Sequence, residues 1–131
     1  MIVVVANSDP VLLRQIQGGL RDQGHVVLAA ADGQHAIALI RAYRPDGAVL
    51  GWAMAGFHGH EVSALVKEDP ETADVAVVVI SARGTSEAEV RMGFERGADE
   101  FLTTPVDIRE LERVLGRLAS RRTSGLAGAP P

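Results

Sequence analysis

Residues 75–105 read VAVVVISARGTSEAEVRMGFERGADEFLTTP, and this stretch decides the fold. VAVVVI is apolar at every position, without the in-out alternation of a strand that has one wet face, so it predicts a strand covered on both sides. Ser86 and Glu89 have the spacing of a reciprocal helix cap. Val90 and Phe94 follow as the inward positions of that helix, and Gly97 supplies its stop. A second apolar run at 99–103 follows at once. Strand, helix and strand in so short a span form a parallel crossover unit, with helices lying against the sheet.

The same order extends toward the N-terminus. Apolar runs at 2–6, 25–30 and 47–52 each precede a segment of helical spacing, which makes five strand-helix repeats and predicts an open α/β sandwich. Asp9 before Pro10 offers a cap and a first-turn proline for a helix running to about residue 22, with Leu12, Leu13, Ile16 and Leu20 turned inward and Gly24 ending it. Asp107 and Glu110 open a last helix whose Ile108, Leu111, Leu115 and Leu118 form one apolar stripe. From Ser120 the sequence SRRTSGLAGAPP has no apolar period. The expected organisation is therefore one domain over 1–119, followed at 120–131 by a flexible tail or the stub of a linker.

The chain has 131 residues, 47% hydrophobic and 23% charged, which suits one packed core. It contains no cysteine, which excludes thiolate chemistry and disulfides, and it has no apolar stretch near the ~20 residues of a membrane span. A cytoplasmic location without membrane contact is the expectation. The net charge of −4 gives no overall positive field for a phosphate backbone, so no direct nucleic-acid contact is expected. Lys67 is the sole lysine among the thirteen cationic side chains.

Six segments in order, VVVANSDP, AADGQHAIALI, RPDGAVL, VVVISARG, GADEFLTTP and the final amphipathic helix, closely resemble the receiver domain of two-component response regulators (CheY-like) over about residues 2–119. The resemblance implies a flavodoxin-like, doubly wound, five-stranded parallel sheet of order 2-1-3-4-5 with five helices in a three-layer sandwich. Its functional crevice would lie at the strand C-termini. Receivers accept a phosphoryl group from a kinase histidine on an aspartate at the end of the third strand, and the matching position here is Gly51. The acidic pair that holds Mg²⁺ falls on Asn7 and Ser8, and the lysine before the proline of the fifth strand falls on Thr104. Of that set only the strand-four hydroxyl remains, as Ser81, and it would form the family's switch pair with Phe101. The peptide bond before Pro105 is expected to be cis.

These substitutions remove nucleophile, metal cage and cation together, so the resemblance implies a pseudo-receiver that is phosphorylation-independent, not an enzyme, and without metal or cofactor. Relief of carboxylate repulsion should also lessen any dependence on Mg²⁺. What remains is protein contact in bacterial signal transduction. The family's readout face, made by helix 4, strand 5 and helix 5, would include Glu87, Arg91, Glu95, Arg96, Asp99, Glu100, Arg109, Glu112 and Arg113, with a homodimer as one form of the contact. The alternative is a small-ligand sensor using the vacated crevice.

Other constellations carry less. His58, His60 and Glu61 in GFHGHE lack the helical i, i+4 spacing of two-histidine zinc sites and read as a polar loop. Gly18-Gly19 is no dinucleotide fingerprint, and neither Ser8 nor Ser81 sits in a nucleophile elbow. Trp52, the only tryptophan, follows the vacated position directly. Two readings stay open for it: a cover over the pocket, or packing against a helix on the sheet face.

Overall fold

The computed structural model describes residues 1–82 and 84–127, with side chains to residue 121. Among the described residues, β1 (Ile2–Ala6), β2 (Val26–Ala30), β3 (Gly47–Gly51), β4 (Ala76–Ser81) and β5 (Glu100–Thr103) alternate with α1 (Pro10–Asp22), α2 (Gly33–Tyr43), α3 (Gly59–Glu68), α4 (Glu87–Glu95) and α5 (Ile108–Ala127). The strands pair in parallel in the order β2-β1-β3-β4-β5, as the apolar runs and the resemblance imply. No helix among the described residues is long and apolar enough to cross a membrane.

Alternate side chains of each strand feed two cores. Val4, Ala6, Leu50, Val77 and Val79 pack with Ile40, Val62 and Val66 on the side of α2 and α3. Val3, Val5, Val49, Val78 and Ile80 pack with Ile16, Leu20, Leu111 and Leu115 on the side of α1 and α5. The caps form as the sequence predicts. Asp9 accepts from Val11 N–H at 2.9 Å and Leu12 N–H at 3.4 Å, and Ser86 and Glu89 cap α4 reciprocally. Gly24 and Gly97 take φ of 91° and 109°, the left-handed region that favours glycine after a helix. The Thr104–Pro105 bond is cis.

Two details differ from expectation. Phe94 is not inward but 44% exposed, because the ring of Phe101 already fills the space under Gly93 and Phe94 packs on its outer side, with centroids 5.0 Å apart. The backbone of α5 continues through the expected tail to Ala127, while 128–131 lie outside the described residues.

Lys67 is tied into the scaffold. Its Nζ donates to Val75 O at 2.7 Å, Asp99 Oδ2 at 3.0 Å and Ala73 O at 3.2 Å, and the same Asp99 oxygen accepts from Val77 N–H at 2.8 Å. One ammonium and one carboxylate thus close the α3–β4 connection and start β5. Hydrogen bonds that involve a charged group contribute about 1.5–3 kcal/mol each when kept from water. Replacing Lys67→Met is expected to lower unfolding free energy by about 1–3 kcal/mol in a urea titration, through the loss of these partners.

Candidate functional site

Parallel strands that all point one way bring their following loops to one edge, and there the chain forms a crevice of about 280 Å³. Its lining includes Asn7 after β1, Gly51 and Trp52 at the end of β3, Ser81 at the end of β4 and Thr104 after β5. Four of the five positions singled out in the sequence therefore meet. Ser8 does not line the crevice: its hydroxyl accepts from Ala55 N–H at 3.0 Å and approaches Ala31 O at 3.4 Å, bracing the loops beside α2 and α3. The turn after β1 directs Asn7 and Ser8 apart, and of the two only Asn7 lines the crevice.

Asn7 is buried, and its Oδ1 accepts from Asp9 N–H at 2.9 Å. Its Nδ2 therefore faces the end of β3, where a Cβ built on Gly51 would lie 3.1 Å from it and 3.2 Å from Met54 Cγ. Amide nitrogen and thioether stem together occupy the approach to Gly51. Asp9 is the one carboxylate among the described lining residues, and its Oδ1 is engaged by the first turn of α1.

Of the two readings that the sequence left open for Trp52, the contacts of its ring match the packing one. Trp52 lines the crevice, and its ring also packs between α3 and β5, with centroids 4.8 Å from His60 and 6.0 Å from Phe101. The indole Nε1 donates to Glu89 Oε2 on α4 at 3.2 Å. Hydrogen bonds from the Ser86 backbone and then its hydroxyl hold the Glu89 carboxyl below its ordinary value, against slight desolvation, with the indole contributing last. Glu89 is thus ionised at neutral pH. Neither Trp52's partner nor the glycine seat of Phe101 was singled out in the sequence; the mid-helix Gly93 was the available signal.

The histidines after β3 pack against their local surroundings. His58 Nδ1 accepts from Met54 N–H at 3.2 Å, and Glu61 Oε1 accepts from His58 N–H at 3.0 Å, which caps α3. The described residues hold no group of three or more histidine, cysteine, aspartate or glutamate side chains arranged for a metal. His60 leans on Trp52 with Nδ1 buried and unpartnered. Burial lowers its pKa; Glu61 opposes this, and His58 and Arg96 reinforce it.

The expected readout face is redistributed. Glu112 turns away from β5 to meet His25 Nε2 at 2.5 Å beside β2, at the other end of the sheet. Asp99 is committed to Lys67 and Val77, and Arg96 lines a groove with Glu61 and Glu68 of α3. Glu87, Arg91 and Glu95 remain around the exposed Phe94 on α4, Arg109 and Arg113 are exposed on α5, and Glu100 pairs with Arg117 at 2.8 Å.

The family model for the response regulator receiver domain matches residues 3–115. The chain is 29% identical over 128 residues to the phosphate regulon transcriptional regulatory protein PhoB of Pseudomonas aeruginosa, covering 98% of this chain but 56% of that protein. It is 26% identical over 113 residues to Protein PilH of the same organism, covering 86% of this chain and 93% of that one. The chain thus spans little more than half of the transcriptional relative and nearly all of PilH. Among solved structures, the receiver domain of the Francisella response regulator 1452 superposes with a TM-score of 0.81 at 27% identity, covering 92% of this chain and 97% of that one.

Two measurements follow from this geometry. A Cβ on Gly93 would meet Phe101 Cζ at 2.2 Å, whereas one on Gly51 meets only side-chain atoms at 3.1 and 3.2 Å. In urea unfolding, Gly93→Ala should therefore lose about 1–3 kcal/mol by overpacking, and Gly51→Ala should stay within about 1 kcal/mol of the parent. His60, with its lowered pKa, contributes its full stability above the ordinary value of 6.5 and loses it as pH falls below that value toward its folded one. The stability difference between about pH 7.5 and pH 5.5 should accordingly shrink in His60→Gln.

Proposed function

The chain belongs to the response regulator receiver domain family of bacterial two-component signalling, and we propose that it is a pseudo-receiver, acting by protein contact without phosphorylation. The observation that carries this reading is the crevice. Where the family places a nucleophile, this chain has a glycine, and Asn7 Nδ2 and Met54 lie across the approach to it.

The donor set does not suit the divalent cation of the family. Mg²⁺ favours carboxylate oxygens in octahedral geometry. Here Asn7 presents an amide nitrogen, its oxygen accepts from Asp9 N–H, and Asp9, the one carboxylate among the described lining residues, has its Oδ1 in the cap of α1. No step through a metal is therefore assigned to this crevice. The cation that would meet a phosphoryl oxygen is replaced by Thr104, and Lys67 is anchored between α3 and β5. Phosphoryl transfer depends on placing positive charge around the migrating group, and these residues place none. Among the described lining residues there is no imidazole to act as a base for Ser81, and the one carboxylate, Asp9, caps α1, which argues against a nucleophilic serine as well.

Receivers act by contacting other signalling proteins, and the α4 side of this one is built for contact. Phe94 stands exposed within a surface depression of about 480 Å³ shared with Val90, Thr85, Glu87, Arg91 and Glu95. An aromatic side chain inside a mixed-charge rim is the arrangement that interfaces favour, the ring giving affinity and the charges orientation. With Glu100, Arg109 and Arg113 this makes an α4-β5-α5 face for a protein partner or a second copy of the chain.

The reading is tested by incubating the chain with Mg²⁺ and a small phosphodonor, and separately with beryllofluoride. Intact mass and amide NMR shifts at Gly51, Ser81 and Thr104 are expected to stay unchanged. A stoichiometric phosphoryl adduct, or saturable shifts confined to the crevice, would falsify the proposal.

A further inference from the structure

The crevice wall and α4 are joined by one side chain. The backbone of Trp52 is fixed on both sides: its N–H donates to Ile80 O at 2.8 Å, and its carbonyl accepts from Gly59 N–H at 3.0 Å. The indole therefore leaves a rigid base at the β3–α3 junction and crosses to α4. There its Cζ3 lies within 3.2 Å of where a Gly93 Cβ would be, and Nε1 reaches Glu89 Oε2 at 3.2 Å.

Glu89 divides its two oxygens between different tasks. Oε1 accepts from Ser86 N–H at 3.2 Å and Ser86 Oγ at 3.0 Å, which closes the cap of α4, while Oε2 takes the indole. The same carboxylate thus orders the first turn of the helix and moors that turn to the end of β3. His60 and Phe101 pack against the ring, with centroids 4.8 and 6.0 Å away. Both neighbours restrict the ring, and neither gives it another polar partner.

We propose that the Trp52–Glu89 hydrogen bond is a latch that fixes the N-terminal half of α4 against the crevice wall, so that the attitude of α4 is set through the indole. Phe101, seated under Gly93, then follows α4, and Phe94 stays outside. The latch rests on these contacts alone and holds whether or not the crevice accepts a phosphoryl group. It gives the first turn of α4 a polar mooring, beside the apolar seat of Phe101 under Gly93, whose release loosens one helix and leaves the remaining sheet and helices in place.

Three variants of the full chain separate latch from cap, read by amide hydrogen exchange and by emission of the lone tryptophan. Trp52→Phe keeps an aromatic ring and loses only the indole with its N–H; exchange across 87–95 should quicken about tenfold, with α1 and α5 at the parent rate. Ser86→Ala weakens the cap and should leave Trp52 emission where it is in the parent. Glu89→Ala removes both functions and should quicken α4 exchange while shifting the emission. Parent-like α4 exchange in Trp52→Phe, with fast exchange in Glu89→Ala, would make Glu89 a cap only and overturn the latch. So would a rise in Trp52→Phe shared equally by α1, α4 and α5, which reads as global loss of stability.

Discussion

Burial of a parallel sheet on both faces is the constraint from which the rest of this structure descends. Strands such as Val77–Val78–Val79 have no wet side, so every return crossing must be a helix laid over one face or the other. Each helix then starts from the same edge of the sheet, and the loops after β1, β3, β4 and β5 converge there by necessity. The crevice is a product of topology, and its existence says nothing about which chemistry fills it. That depends on the few side chains at the strand ends, and in this chain they are amide, glycine and two hydroxyls.

The difference in charge has mechanical meaning. A cluster of carboxylates is held together by a cation and changes its preferred geometry when the cation or a phosphoryl group arrives. In this crevice the one described lining carboxylate, Asp9, caps α1. Asn7 instead closes a short internal network with Asp9 and leans its amino group toward Gly51, while Trp52 spans from the same wall to α4. In the reading proposed above, packing contacts stand where electrostatic strain would otherwise act, with the indole of Trp52 and the Ser86–Glu89 cap both meeting the first turn of α4.

Periodicity and punctuation carried the architecture in the sequence. VAVVVI, the Asp9-Pro10 start, the Ser86–Glu89 pair and the stops at Gly24 and Gly97 depend on neighbours within a few residues, so local reading reaches them. The contacts it missed join residues far apart in the chain: Glu112 with His25, Trp52 with Glu89, Lys67 with Asp99. Spacing tells which helix face a charge occupies but not which distant partner lies opposite. The outward turn of Ser8 was hidden for a different reason, since a strand's alternation ends with the strand and the turn that follows obeys its own dihedrals. Phe94 was misplaced because the ring of Phe101 from β5 took the seat under Gly93, a competition settled only by packing.

The engagement of Lys67 has one more consequence. It is the only side-chain amine in the chain, and it has three acceptors within 3.2 Å while its side chain is 23% exposed. An acyl donor or an amine-directed crosslinker therefore meets an ammonium that must first abandon backbone carbonyls and a carboxylate before it can lose a proton and attack. Covalent marking of lysine in this protein would register opening of the α3–β4 corner and would be silent about events at the strand tips. Here that residue type, commonly treated as a surface handle, reports on the frame.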